Sequence, residues 1–413
     1  MTNGTQPEAA PYASHCANNY DPMPVTLVRG EGVWLWDRHG ARYLDMMSAY
    51  SAVSHGHGHP RLVQSLCEQA GRLAMTSRAF SNDRLEPFLA RLCAVAGLDQ
   101  ALPMNTGAEA VETAIKAARR WGYRVKGIPE DKAEIIVAEG NFHGRTTTIV
   151  GFSSDPAYRA GFGPFAPGFR TVPFGDAGAL AAAITPHTCA VLVEPIQGEG
   201  GLRVPPDGWL RELRSLCDRH RVLLLLDEIQ SGLGRTGRMF AFEHEGIVPD
   251  GLMVGKALGG GLLPVSAFVA RREVMAMFDP GSHGSTFGGN PLAAAVGLAA
   301  LEVLEDECLV ERSARLGAYM IDAVRTLRSP AIVDIRGRGL WVGVEIDPAF
   351  ASGRAVCLGL LHRHVLTRET HETVIRLAPP LVVEEAQIDL AVDALRATLD
   401  DLERNRSRGA SLV

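Results

Sequence analysis

The stretches Arg221-Val-Leu-Leu-Leu-Leu-Asp-Glu-Ile-Gln230 and Gly251-Leu-Met-Val-Gly-Lys256 decide the fold. Each begins as a short aliphatic run without polar alternation, the pattern of a parallel strand covered on both faces by helices. Ligands of open α/β sheets bind beyond the carboxyl ends of the strands. The carboxylate of Asp227 and the amine of Lys256 are therefore expected in one crevice. A lone lysine after a strand also suits a surface charge, and Asp-Glu a helix cap, so the pair has to be weighed with further signals.

The chemistry that needs such a pair is that of pyridoxal 5'-phosphate (PLP). A lysine forms a Schiff base with its aldehyde, and an aspartate keeps its pyridine nitrogen protonated. Two more stretches bear on this. Asn105-Thr-Gly-Ala-Glu-Ala110 is a polar turn leading into a helix-forming run that continues to about Arg120. Its first amides, with Thr106, Gly107 and Ala108, would suit a phosphate at a helix start, although Thr106 also reads as an ordinary N-cap. In Asn141-Phe-His-Gly-Arg-Thr146, Phe142 could stack on a flat ring and Arg145 could hold a carboxylate in a two-point fork. Either could instead be structural.

Taken together, Asn105-Thr-Gly-Ala-Glu-Ala110, Val193-Glu-Pro-Ile-Gln-Gly198, Asp227-Glu-Ile-Gln230, Gly255-Lys-Ala-Leu258 and Gly284-Ser-Thr-Phe-Gly-Gly-Asn290 resemble the class III aminotransferases of PLP fold type I. The resemblance runs from about Tyr12 to the last helix. Within the class it is nearest to the ornithine δ-aminotransferases, through Tyr50-Ser-Ala-Val53, Thr76-Ser-Arg-Ala-Phe80, Trp121-Gly-Tyr-Arg-Val-Lys126, Gly161-Phe-Gly-Pro-Phe165 and Ile375-Arg-Leu-Ala-Pro-Pro380.

That resemblance implies an α/β fold: a large domain with a mostly parallel sheet flanked by helices, and a small α+β domain drawn from both chain ends. It implies transfer of the δ-amino group of L-ornithine to 2-oxoglutarate in a ping-pong cycle, giving glutamate and a semialdehyde that cyclises to pyrroline-5-carboxylate. Lys256 would carry the aldehyde and then shuttle the proton, with Asp227 at the pyridine nitrogen and Gln230 at the phenolic oxygen. Phe142 and Ile229 would cover the two ring faces. Thr106, Gly107 and Ala108 would bind the phosphate, and Thr286 would reach the phosphate of a partner subunit, making a homodimer with shared sites, or a higher oligomer built from it. The ornithine α-carboxylate would pair with Arg145 and its α-amino group would lie near Tyr20 and Tyr50. Arg376 would hold the α-carboxylate of 2-oxoglutarate, with Glu199 masking it during the ornithine half-reaction. The same cofactor residues would serve an enzyme for N-acetylornithine, γ-aminobutyrate or another terminal amine. Tyr50 discriminates, because acetylornithine enzymes usually have a small residue there. A PLP-dependent mutase or a non-catalytic PLP-binding module is the rival from another class, and a mutase should release no free glutamate. Phe287 and His143 depart from the tyrosine and tryptophan common in close relatives.

Composition agrees with a small-molecule enzyme. At 413 residues, 46% hydrophobic, the chain is long enough for more than one core. A formal charge of -6 with interspersed signs gives no general attraction to nucleic acid or an anionic membrane. The seven cysteines are scattered, without a Cys-x-x-Cys pair, and read as reduced packing residues. Residues 1–11 lack both a signal-peptide core and transit-peptide arginines, and no apolar run approaches membrane-spanning length, so a cytoplasmic enzyme is expected.

Three units are expected: 1–53, an N-terminal segment packing with the small domain; 54–291, the large cofactor-binding domain; and 292–413, the C-terminal small domain. In the first, Gly32 to Trp36 and Arg42 to Asp45 read as strands around the turn Asp37-Arg-His-Gly40. In the last, helix from Leu292 to about Leu327 is followed by strands at Ala331–Ile335 and Leu340–Glu345. A helix over Gly353–His362, a strand at Thr373–Leu377 and a helix from about Glu384 to Arg404 follow, and Asn405–Val413 read as a frayed tail. The alternating His55, His57 and His59 suit an irregular turn before a helix better than a metal site, since no carboxylate or cysteine completes a ligand set. Gly259-Gly-Gly261 lacks nucleotide-loop spacing and is expected to give room beside the cofactor.

Overall fold

The computed structural model describes residues 15–410. The expectation that residues 1–11 form neither a signal nor a transit peptide therefore falls outside the described residues. Strands β1 (Leu27–Glu31), β2 (Trp34–Asp37) and β3 (Arg42–Asp45) form an antiparallel meander. A central seven-stranded sheet follows, from β4 (Gln100–Met104), β5 (Glu134–Ala138), β6 (Phe169–Val172), β7 (Thr188–Val193), β8 (Leu223–Asp227), β9 (Gly251–Val254) and β10 (Ser266–Ala270), in the order β4-β10-β9-β8-β7-β5-β6. Within it β6, β5, β7, β8 and β9 are parallel neighbours, while β10 runs antiparallel to both β9 and β4.

The two runs that decided the fold are β8 and β9. They are adjacent and fully buried, with Asp227 in register with Met253. Burial on both faces comes from helices such as Gly107–Trp121, which turns Ala110, Val111, Ala114, Ile115 and Ala118 into the core shared with β5, β7 and β9. That helix ends at Trp121, close to the expected end near Arg120, and a turn of π-helix, Gly122–Lys126, follows it, where Lys126 Nζ donates to the carbonyls of Thr188 (2.6 Å) and His220 (3.0 Å).

The C-terminal third holds helices Pro291–Asp306 and Leu309–Arg325, then β11 (Ile332–Gly337), β12 (Val342–Ile346), helix Gly353–His362, β13 (Val365–Leu366), β14 (Glu369–Thr370) and β15 (Val374–Leu377). Four of these strands make a sheet ordered β11-β12-β15-β14, whereas β13 joins β3 in parallel and so extends the N-terminal meander. The last helix runs from Glu385 to Ala410, past the expected end at Arg404, so the described part of the tail is helical rather than frayed.

Two junction features matter for the site. The segment Ser48–Ser51 is a left-handed turn of four non-glycine residues, with φ of 48, 45, 60 and 73°. Each such residue costs roughly 1–2 kcal/mol, so the surroundings must hold it in place. They do: Asp45 Oδ1 accepts from the amides of Met47 (2.8 Å) and Ser48 (2.9 Å), and Ser48 Oγ donates to Ala378 O (2.6 Å). The second feature is Arg235, fully buried, whose guanidinium donates to Leu340 O (2.8 Å), Pro379 O (2.7 Å) and Ser54 Oγ (3.0 Å). It forms no salt bridge among the described residues, and burial pulls its pKa down to about 9.

The three histidines go to three different partners: His55 Nε2 lies 2.9 Å from Ala300 O, His57 Nε2 2.7 Å from Asp45 Oδ2 and His59 Nε2 3.0 Å from Glu307 Oε1. Among the described residues no group of three or more His, Cys, Asp or Glu could hold a metal. Gly260 differs from expectation. Its φ is +59°, and a Cβ there would lie 2.6 Å from Leu62 Cδ1, so the room it gives is for Leu62 and not for a cofactor. Cys189, Cys217 and Cys357 are buried packing residues as expected, but Cys16, Cys67 and Cys308 are exposed. Among the described residues no helix is long and apolar enough to cross a membrane.

Candidate active site

The carboxyl ends of β8 and β9 open on a cavity of about 190 Å³ lined by Asp227, Ile229, Gln230 and Lys256, together with Gly107, Ala108 and Phe142. The fold thus brings seven of the residues expected around the cofactor to one place. Lys256 follows the extended Gly255 and itself adopts φ of +46°, a left-handed conformation that lysine rarely takes. Burial lowers its pKa, against the opposing pull of Glu199 and Asp227, so its amine gives up its proton more readily than a surface lysine.

Asp227 is buried, with Oδ1 accepting from the Ile229 amide (3.1 Å) and Oδ2 lying 2.7 Å from His143 Nδ1. Burial disfavours the His143 imidazolium, but the hydrogen bond and charge of Asp227 outweigh it and raise the pKa of the ring. Glu194, alongside, accepts from the amides of Phe142 (2.9 Å) and Gly198 (3.2 Å); burial pushes its pKa up to about 7, with His143 opposing. His143 and Glu194 line the cavity and were not assigned roles from the sequence. His143 stood in a quoted motif, but its partner lies 84 residues away and no local pattern announces the contact.

Gly144 shapes this wall: with φ of +122° and Ala108 Cβ 2.9 Å from where a Cβ would stand, glycine is required between His143 and Arg145. Thr106 caps the Gly107–Trp121 helix. Its hydroxyl accepts from the Glu109 amide (3.3 Å) and also lies 3.3 Å from Glu109 Oε2, while the Glu109 carboxylate takes the Thr106 amide (2.7 Å). The hydroxyl expected to add to a phosphate site thus also serves the cap, and Gly107 and Ala108 form the cavity wall. Thr286 is exposed and outside the cavity, though the neighbouring Ser285 Oγ accepts from Asn105 Nδ2 (2.8 Å).

Phe142 also lines a second, outer cavity of about 630 Å³ with Tyr20, Tyr50, Arg145 and Glu199. The lining residue Glu199 reaches the buried Arg376, whose Nη2 lies 2.8 Å from Glu199 Oε1, with the Arg376 side chain only 2% exposed and that of Glu199 23%. The Tyr50 ring lies 4.9 Å from the Arg376 guanidinium. The remaining Arg376 donors, Nε and Nη1, are buried without a partner among the described residues. Tyr158 and Arg368 line the outer cavity as well and had no signal in the sequence.

The residues present fit pyridoxal phosphate. The inner cavity offers an amine of lowered pKa, a fixed carboxylate, an aromatic and an aliphatic wall, and the buried Gln230 Nε2, which has no hydrogen-bond partner among the described residues and can donate to an acceptor on a ligand. Such an arrangement can activate an amine-bearing substrate whose own carboxylate is held by an arginine of the outer cavity.

Comparison with known proteins agrees. The family model described as aminotransferase class-III matches residues 15–399. An ornithine aminotransferase of Geobacillus sp. (strain WCH70) is 54% identical over 380 residues, covering 92% of this chain and 95% of that protein. Among solved structures, the ornithine aminotransferase of Toxoplasma gondii, with PLP at partial occupancy in its active site, superposes with a TM-score of 0.94 at 43% identity, covering 95% of this chain and 93% of that one. The acetylornithine aminotransferase of Elizabethkingia anophelis superposes with a TM-score of 0.86 at 48% identity, covering 94% and 96%.

Proposed function

The chain belongs to the class III aminotransferases and is a PLP-dependent transaminase, and from that premise we propose that it moves the δ-amino group of L-ornithine to 2-oxoglutarate. The observation that carries this reading is the Arg376–Glu199 pair under Tyr50, beside a separate Arg145 that has no salt-bridge partner among the described residues. Two arginines at different depths, one of them masked by a carboxylate, suit a pocket that accepts two substrates of different shape in turn.

When bound, PLP supplies an aldehyde that condenses with amines and a ring that takes up the electron pair left when a C–H proton is removed. The chain's own residues would do the rest. Lys256 would hold the aldehyde at rest and, once displaced, its amine of lowered pKa would take the proton from the δ-carbon of ornithine. Asp227, fixed by His143 and the Ile229 amide, would keep a positive charge on the pyridine nitrogen. Gln230 would donate to the phenolic oxygen, with Phe142 and Ile229 covering the ring. The Gly107 and Ala108 amides would meet the phosphate.

In the ornithine half-reaction Arg145 would hold the α-carboxylate, with the α-amino group near Tyr20 and Tyr50, while Glu199 keeps Arg376 from attracting that carboxylate inward. For 2-oxoglutarate, Glu199 would release Arg376 to bind the α-carboxylate.

We further propose a cytoplasmic homodimer, or a higher oligomer built from it, in which Thr286 completes the neighbouring subunit's phosphate site, and a division of the chain into units 1–53, 54–291 and 292–413. The large exposed apolar side chains of Phe80 and Phe287 support the dimer, and the segments that carry them and Thr286 meet where Asn82 Nδ2 lies 3.5 Å from Gly289 O. The decisive experiment incubates the holoenzyme with 2-oxoglutarate and, separately, ornithine, N-acetylornithine and γ-aminobutyrate, scoring glutamate and pyrroline-5-carboxylate. Ornithine should give both products fastest; preference for N-acetylornithine would overturn the substrate assignment.

A further inference from the structure

Arg145 is unusual among the arginines of the site. Among the described residues it makes no salt bridge, whereas Arg376 is tied to Glu199. What holds it is aromatic. Its guanidinium carbon lies 4.2 Å from the ring centre of Tyr158 and 5.8 Å from that of Phe142. The two rings meet edge to face, 5.9 Å apart with an interplanar angle of 73°.

Tyr158 is itself well anchored. It sits in the short helical turn Pro156–Arg159, whose start is capped by Asp155 accepting from the Ala157 amide (2.8 Å). On its other side Arg159 donates to Ser153 O (3.2 Å) and lies against the Phe165 ring at 5.1 Å. The Tyr158 ring is half-buried in the wall of the outer cavity, and Arg145 is exposed to that cavity.

A guanidinium whose carbon lies over a ring, as that of Arg145 does over Tyr158, is held by the ring while its N–H groups stay available to engage a carboxylate bidentately. An arginine on a free stem would lose side-chain freedom each time it captured a carboxylate; one already held by a ring has lost it beforehand, so binding is stronger for the same contacts. Resting on the proposed ornithine reading, we infer that Tyr158 is a positioning residue that presents the fork of Arg145 to the distal carboxylate of both substrates, and so sets the preference for amines that carry one.

The test compares wild type with Tyr158→Leu and Tyr158→Phe, using ornithine and 1,4-diaminobutane, which carries the same kind of terminal amine but no carboxylate. Tyr158→Leu should raise KM for ornithine about three- to tenfold with kcat within about twofold, and leave KM for 1,4-diaminobutane unchanged. Tyr158→Phe, which keeps the ring, should restore most of the ornithine KM. In parallel, calorimetric titration of the holoenzyme with glutarate should show its Kd weakened by a similar factor in Tyr158→Leu. If circular dichroism shows that Tyr158→Leu is unfolded, Tyr158→Met takes its place. Equal KM changes for both amines, or an unchanged glutarate Kd, would overturn the inference. Failure of the wild type to use ornithine would instead overturn the ornithine reading, and the glutarate titration would still test the Tyr158–Arg145 carboxylate site.

Discussion

His143 Nδ1 lies 2.7 Å from Asp227 Oδ2, both side chains are buried, and the contact fixes the carboxylate at the carboxyl end of β8. A carboxylate meant to hold a proton on a ring nitrogen works only if it stays ionised and in place, and an imidazole within hydrogen-bond distance serves both needs.

Replacing His143 by Phe should leave Asp227 with the Ile229 amide alone and destabilise the protein by about 1–3 kcal/mol at pH 6. Because the folded-state pKa of His143 is raised above its ordinary 6.5, the stability it contributes is fully present below about pH 6.5 and is lost as pH rises through the higher folded value. The gap in thermal midpoint between wild type and His143→Phe should therefore be widest at pH 6 and narrow toward pH 9. A gap that stays constant, or widens, across this range contradicts the assignment.

In the proposed cycle Lys256→Ala should abolish transamination yet still admit pyridoxal phosphate. Borohydride reduction of the wild-type holoenzyme, followed by peptide mass mapping, should mark Lys256. A reducible lysine adduct persisting at the active site of Lys256→Ala would mean that another lysine carries the aldehyde.

Removal of Glu199 tests the masking of Arg376. Glu199→Ala leaves a buried guanidinium without its carboxylate, a change on the order of a few kcal/mol in favour of any incoming carboxylate. Ornithine should then react increasingly through its α-amine, and the glutamate half-reaction should not slow. Stopped-flow loss of the cofactor's visible absorbance, with product analysis, would check this; an unchanged δ-to-α product ratio would leave Glu199 with a structural role only.

The left-handed turn gives a prediction about stability. Ala49 is exposed with φ of 45° and ψ of 52°, where glycine is free of the steric cost that alanine bears. Ala49→Gly should raise stability by up to about 1 kcal/mol, against the usual loss for Ala→Gly. Denaturant unfolding would show it, and a loss of 1 kcal/mol or more would remove strain as a feature of this turn.

Much of the architecture was legible because a strand buried on both faces has to be written as an unbroken aliphatic run. Leu223–Asp227 and Gly251–Val254 are such runs, and the polar residues that end them fall where β8 and β9 emerge. Helix Gly353–His362 was equally plain, with both boundaries as expected. Direction is not written in this way. The buried strand Ser266–Ala270 carries no mark that it runs antiparallel to β9, because its side chains alternate between the same two covered faces either way.

Other features were hidden for specific reasons. Strand Leu27–Glu31 is mostly exposed and contains a glycine and two charges, so it shows neither alternation nor a buried run. The Ser48–Ser51 turn contains no glycine or asparagine to announce positive φ, and is held by contacts with Asp45 and with Ala378, far along the chain. The cofactor side of the site was readable because its residues lie in compact motifs. Tyr158 was not, since its role comes from where its ring lies relative to Arg145 and Phe142, and a lone tyrosine in a loop gives no hint of that.

Arg235 has a bearing on how the molecule is made. Of its three acceptors, Leu340 O and Pro379 O lie 105 and 144 residues further along, so a chain growing from its amino end exposes the cation when Ser54 Oγ is the one acceptor of the three already made. Until then the guanidinium has to stay in water, and the core around it cannot close without burying a charge whose donors have nowhere to go. A chain cut short before Pro379 keeps that seam open. One arginine thus ties completion of the core to arrival of the last segment, and a partial product would be recognisable by its unfinished interior.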